Sequence, residues 1–218
     1  MDIAVQASLF DDPTEGARLE PLGTSVRRRT LSEGAWVDVR PGWLQGSERL
    51  FADLVDRVPW RAERRRMYDR VVDVPRLVSF YAEDATLPDP LLTEARAALD
   101  AHYRHELGEA FATAGLCYYR DGADSVAWHG DTIGRGAVED TMVAIVSLGA
   151  ARTLALRPRA DERHRRTGGG ASLRYSLGHG DLLVMGGSCQ RTWEHAVPKT
   201  TRPTGPRISV QFRTRGVR

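Results

Sequence analysis

The chain has 218 residues, 41% hydrophobic and 28% charged, with a formal net charge of +2. That length suits one domain with a sizeable core, and the near-neutral balance excludes a uniformly polyanion-binding protein. Cys117 and Cys189 are too few for a disulfide framework, and neither a secretory leader nor an apolar run of membrane-spanning length is read, so a cytoplasmic, soluble monomer is expected.

The charge is unevenly spread. Arg57, Arg61, Arg64, Arg65, Arg66, Arg70 and Arg76 stand against only Glu63, Asp69 and Asp73 within residues 57–76, and Arg157, Arg159, Arg163, Arg165 and Arg166 form a second basic cluster. Local patches of this kind suit a phosphate-bearing substrate met on one face, although each alone also suits a solvated surface.

In chain order, residues 1–35 are polar and rich in turn formers, which predicts a flexible N-terminal arm. Trp36 to Trp43 reads as a short strand and turn. Ser47 is placed to cap an amphipathic helix with Leu50, Phe51, Leu54 and Val55 on one face, ended near Pro59. The basic segment 60–82 follows, and its VVDV and LVSFY runs read as hairpin strands. A second helix is predicted from about Leu91 to Leu107, entered behind Pro88 and Pro90 and stopped by Gly108.

Beyond Gly108 short β-rich runs alternate with turns, and Thr167 to Gly170 reads as a loop between two of them. The fold class is therefore mainly β with flanking helices (α+β), with a double-stranded β-helix, or jelly-roll, core. Residues 36–218 are expected to form a single domain.

His129-Gly130-Asp131 offers an imidazole and a carboxylate two residues apart, on one face if the segment is a strand. Alone, the pair equally suits a surface histidine beside an aspartate. His195 lies downstream as a third ligand. Two histidines and one carboxylate occupy one face of an octahedron and leave positions for substrate-side ligands and O2, which suits non-haem Fe(II) oxygenases. Arg207, 12 residues after His195, can grip the distal carboxylate of 2-oxoglutarate in a two-pronged ion pair, and Arg213 falls on the same strand face at an even spacing.

The segments PRLVSFY, YYRDGADSVAWHGD, SLGAARTLALRPR, HGDLLVMGG, TWEHAVP and RISVQFR resemble the AlkB family of nucleic-acid dealkylating oxygenases over roughly residues 71–215. The resemblance implies an Fe(II)/2-oxoglutarate dioxygenase acting on alkylated DNA, with RNA as a further substrate class. In that reading 2-oxoglutarate and O2 give succinate and carbon dioxide, while an N-methyl group is hydroxylated and leaves as formaldehyde. It assigns His129, Asp131 and His195 to the metal, and Tyr119, Arg207, Arg213 and Gln211 to the cosubstrate. Two positions depart from the family pattern. Cys117 replaces an asparagine expected to contact 2-oxoglutarate, and Thr132 replaces an acidic residue that helps read the base.

The same resemblance makes 60–82 a nucleotide-recognition lid, where Trp60, Tyr68, Phe80 and Tyr81 are available to stack on an extruded base. Tyr81 is favoured, with Arg76 near the duplex. Gln6-Ala7-Ser8-Leu9-Phe10 is similar to the short peptide by which bacterial repair proteins dock on the sliding clamp, through Gln6, Leu9 and Phe10. The rival readings are a 2-oxoglutarate-dependent hydroxylase of a small molecule or protein, and a non-catalytic nucleic-acid-binding module.

Overall fold

The computed structural model describes residues 16–67, 70–159 and 172–217, with side chains except at 64–73 and 107. The elements are β1 (Arg18–Leu19), β2 (Arg27–Thr30), β3 (Trp36–Arg40), β4 (Leu44–Gln45), α1 (Glu48–Arg57), β5 (Arg61–Met67), β6 (Arg70–Tyr81) and α2 (Pro90–Leu107). There follow β7 (Phe111–Tyr119), β8 (Val126–His129), β9 (Val143–Gly149), β10 (Arg152–Pro158), β11 (Leu173–Leu177), β12 (Leu182–Gly186), α3 (Cys189–Thr192), β13 (Trp193–Val197) and β14 (Arg207–Thr214).

A large sheet runs β2-β3-β12-β9-β14-β7-β6-β5 and a small one β11-β10-β13-β8, while β1 and β4 pair separately. All strand pairs are antiparallel. This is the jelly-roll arrangement expected from the many short, turn-bounded strands.

Strand periodicity divides the interior into two layers. On β14, Ile208, Val210 and Phe212 join Leu116, Val146, Leu182 and the helix residues Leu50, Leu54, Leu92 and Leu99 in one apolar core. On the opposite face of the same sheet, Tyr119, Ile145 and Met185 pack with Leu154, Leu156 and Val197 of the small sheet. The alternation of side chains along a strand makes both layers from one set of strands. The helices cover one face, and the other closes over the pocket.

Several local expectations change. Residues 18–30 fall in the predicted arm but form β1 and β2, and β2 extends the large sheet. Arg28 donates to both carboxylate oxygens of buried Asp38, each at 2.8 Å, and its guanidinium lies 3.9 Å from the centre of the Trp36 ring. This anchoring depends on tertiary partners that local composition does not reveal. Residues 1–15, with Gln6, Leu9 and Phe10, lie outside the described residues, as do Tyr68 and Thr167 to Gly170.

VVDV and LVSFY are one strand, β6, rather than two, and its hairpin partner is the arginine-rich β5. The β5–β6 register breaks between Ala62 and Arg64, across from Pro75, so the missing proline N–H falls where the ladder is already interrupted. Ser47 stands at the N-terminus of α1, but its hydroxyl meets His179 Nε2 at 2.6 Å instead of capping the helix. In α2, Asp89 accepts from the Leu91 N–H at 2.9 Å, and Gly108 ends the helix in a left-handed conformation with φ of 68°.

Phe212 is fully buried between Gln211 and Arg213 of β14. Phe212→Ala is expected to cost about 3–5 kcal/mol in urea unfolding. Because its side chain lies on the helix side of the sheet, the variant that remains folded should still bind metal.

Candidate metal centre and cosubstrate pocket

β8 and β13 are neighbours in the small sheet, and their register sets His129 directly opposite His195. The imidazole centroids lie 4.2 Å apart. Asp131 completes a group whose ligand atoms all fall within 4.8 Å of one another. It does not share the strand with His129: β8 ends at His129, and Asp131 lies in the turn beyond. Two contacts hold it there. Arg213 Nε donates to Asp131 Oδ2 at 2.6 Å, and the Asp131 N–H donates to Gln190 Oε1 at 3.0 Å. Gly130 is needed between the ligands, because a Cβ there would sit 2.2 Å from the Gln190 carbonyl oxygen.

The protonation states suit a divalent cation, which needs neutral imidazoles and an ionised carboxylate. Burial pushes the His195 imidazolium down to about 3, helped by neighbouring His129, and burial lowers His129 as well. Burial also pushes the Asp131 carboxyl up, but Arg213 and the two imidazoles outweigh it and hold the group at about 2. His129 Nδ1 lies 2.8 Å from the Ala127 carbonyl oxygen. That contact fixes the proton on Nδ1 and leaves Nε2 for the metal. A soft-ligand site would need thiolates; this set of two nitrogens and one carboxylate fits Fe(II).

The candidate cosubstrate pocket lies against β14. Arg207, Ser209, Gln211 and Arg213 alternate with the apolar core residues and line the cleft. Arg207 is 2% exposed. Its Nε donates to Ser147 Oγ at 2.9 Å, whereas Nη1 has no partner among the described residues. Burial lowers the Arg207 pKa, the signature of a desolvated cation with no carboxylate at hand. A dicarboxylate arriving here would satisfy both its charge and the open N–H, so the residues fit 2-oxoglutarate. Burial pushes the neighbouring Tyr119 hydroxyl up to about 12, so it remains a donor.

Gln211 joins Arg213 to Ser209 and Cys117. Its Oε1 accepts from Arg213 Nη2 at 2.5 Å, and its Nε2 faces Ser209 Oγ at 3.3 Å and Cys117 Sγ at 3.6 Å. Cys117 thus stands in the pocket wall as a weak acceptor within this network. Gly115 gives Arg213 its room, since a Cβ there would lie 2.8 Å from Nη1. Ser147, Gln190 and Gly115 escape a reading from sequence, because each acts on a residue far away in the chain or through close strand packing.

The lid residues separate. Trp60 Nε1 donates to the Leu54 and Val55 carbonyls at 3.2 and 3.1 Å, and its ring packs on Tyr118 at 5.3 Å. It braces α1 and does not line the cleft. Tyr81 touches the cleft edge but packs with the helix-side core, because its position opposite Ala114 turns it that way. Phe80, one residue earlier, faces the cleft and is 52% exposed. Arg76 also departs from the duplex-facing placement: it lines the cleft, with Nη1 donating to the Ser125 carbonyl at 3.5 Å and its charge beside Cys117 and Tyr119. Thr132 lines the cleft next to Asp131. Trp128 does so too, with the Arg157 guanidinium 4.3 Å from its ring centre, whereas Trp193 is buried in the inner core.

Two substitutions separate the parts of this site. Arg207→Lys keeps the charge but loses the forked geometry, and should weaken 2-oxoglutarate binding about tenfold in calorimetric titration with metal affinity retained. Gly130→Ala should lose metal binding by the same method, because its Cβ must displace the turn that carries Asp131.

The 2OG-Fe(II) oxygenase superfamily model matches residues 45–213. The chain is 30% identical to the human alpha-ketoglutarate-dependent dioxygenase alkB homolog 3, over 94% of its own length and 78% of that protein. It is also 30% identical to the DNA oxidative demethylase ALKBH2 of Arabidopsis thaliana, over 75% of this chain and 60% of that one. Among solved structures, a Pseudomonas putida prolyl-4-hydroxylase shares the fold with a TM-score of 0.56 at 16% identity, covering 83% of this chain and 93% of that one. The epimerase SnoN from nogalamycin biosynthesis does so at 0.54 and 17%, covering 83% and 77%. No described helix is long and apolar enough to cross a membrane. With its histidine–aspartate–histidine centre and these relatives, the chain belongs to the 2OG-Fe(II) oxygenase superfamily as an AlkB-like dioxygenase that uses Fe(II), 2-oxoglutarate and O2.

Proposed function

We propose that the protein removes N-linked alkyl groups from bases in DNA, with RNA as a further substrate class, and so reverses alkylation damage directly. One observation carries the reading beyond family membership. The three candidate ligands open into a cleft of about 1500 Å³ that extends to the β5–β6 hairpin. That volume exceeds the roughly 300–1,000 Å³ of pockets that enclose a small molecule. Arg61, Arg174 and Lys199 line the same cleft, where they are available to backbone phosphates.

Bound Fe(II), with 2-oxoglutarate and O2, supplies the oxidising power for hydroxylation of a C–H bond. The chain's own residues orient and hold. Arg207 and Tyr119 would hold the distal carboxylate of the cosubstrate. Arg213 keeps Asp131 ionised and aimed, while Gln190 fixes the turn that carries it. An extruded base requires flat surfaces on either side. His129 offers one face and Phe80, on the cleft side of β6, offers the other in place of Tyr81. A hydroxylated N-methyl group then breaks its C–N bond, leaving formaldehyde and the unmodified base.

The test is 2-oxoglutarate-dependent succinate formation across a panel of methylated and unmethylated oligonucleotides. Turnover should rise with the methylated strands and vanish in His129→Ala. Succinate formation indifferent to every oligonucleotide would reject the substrate, leaving the oxygenase assignment in place. Oligonucleotide affinity should also fall by roughly tenfold or more between about 50 and 200 mM salt, if several phosphates are contacted.

A further inference from the structure

The charge lining the cleft sets a constraint on which alkylated bases it accepts. Among the described residues, six cationic side chains face it: Arg61, Arg76, Arg174, Lys199, Arg207 and Arg213. Only two carboxylates do so, Glu63 and Asp131. Loading with Fe(II) and doubly ionised 2-oxoglutarate leaves that excess unchanged, because their charges cancel. Asp131 is already committed to Arg213 and to the metal.

Depth separates these cations. Arg61, Arg174 and Lys199 have phosphates as natural partners, and Arg207 has the distal carboxylate of the cosubstrate. Arg76 remains. Its Nε is buried and has no hydrogen-bond partner among the described residues. It lines the same cleft as His129 and His195. Its neighbours there are the Cys117 thiol, the Tyr119 hydroxyl and the Ser125 carbonyl, and among the described side chains the carboxylate that acts on it is Glu63, on β5. Beside Asp131, Thr132 adds a neutral hydroxyl within 3.5 Å of the Gly130 carbonyl.

Alkylated bases fall into two electrostatic classes. Methylation of adenine N1 or cytosine N3 leaves a cation at neutral pH, because the ring nitrogen had no proton to lose. Methylation of thymine N3 or guanine N1 replaces an N–H and leaves the base neutral, with carbonyl oxygens that accept hydrogen bonds. A cation in the wall of a desolvated cleft repels the first class and donates to the second.

Resting on the demethylation reading, we infer that this cleft selects neutral, carbonyl-bearing alkylated bases over cationic ones, with Arg76 as the specificity-determining residue. Its guanidinium, which lines the cleft, is the donor for a carbonyl oxygen of the base.

The experiment compares kcat/KM on oligonucleotides that differ only in the lesion, N3-methylthymine against N3-methylcytosine and N1-methylguanine against N1-methyladenine. The wild-type ratio of neutral to cationic lesion should exceed one by about tenfold, the order expected for a single charge at an effective protein dielectric. Arg76→Gln removes the charge, and Thr132→Glu adds an opposite one; each should lower the ratio by a similar factor. The ratio remains readable when a variant loses overall activity, since both lesions are measured on the same preparation. A wild-type ratio at or below one, or a ratio that neither variant lowers, overturns the inference. So does an Arg76→Gln enzyme whose only change is a raised KM for 2-oxoglutarate, since that would assign the residue to the cosubstrate. Absence of turnover on every methylated oligonucleotide would instead overturn the demethylation reading, and this inference with it.

Discussion

The two-residue period of β14 is the constraint on which the site depends. Ile208, Val210 and Phe212 must reach the helix-side core, so Arg207, Ser209, Gln211 and Arg213 are all delivered to the opposite face. A slip of one residue would exchange the two sets and bury the arginines among leucines. The apolar residues of β14 therefore set the geometry of the active site as firmly as the polar ones. Pairing with β7 and β9 on either side fixes that register over the whole strand.

Electrostatics follow from this placement. Arg213 and Asp131 form a buried pair, yet the pair is built around a deficit: the carboxylate also faces two neutral imidazoles that want a cation. Arg207, at the other end of the strand, carries a donor without a partner and meets no carboxylate among the described residues. A buried charge without a partner is costly, and its persistence is explained by a ligand that completes it. One strand thus positions both halves of the candidate site, the support of Asp131 at one end and the buried Arg207 at the other.

Much of this is legible in the sequence because it lies in short-range patterns. The His-x-Asp spacing, the six-residue interval between the arginines and the turn-bounded strands each express backbone periodicity. What is not legible is set by tertiary contact. Asp131 reads as a strand neighbour of His129, but a turn held by Gln190 delivers it. Tyr81 is the favoured aromatic from sequence, but the pairing of β6 with β7 turns it to the core side and Phe80 to the cleft. Trp60 looks like a lid aromatic and is recruited to brace α1. The strand β2 hides in a polar segment because its anchor, Asp38, lies on β3.

The most direct measurement of the account is product stoichiometry by mass spectrometry on a singly methylated oligonucleotide, with Fe(II) and 2-oxoglutarate supplied. The account predicts succinate, formaldehyde and unmodified base in equal amounts. Succinate accumulating while the methylated base persists would contradict it.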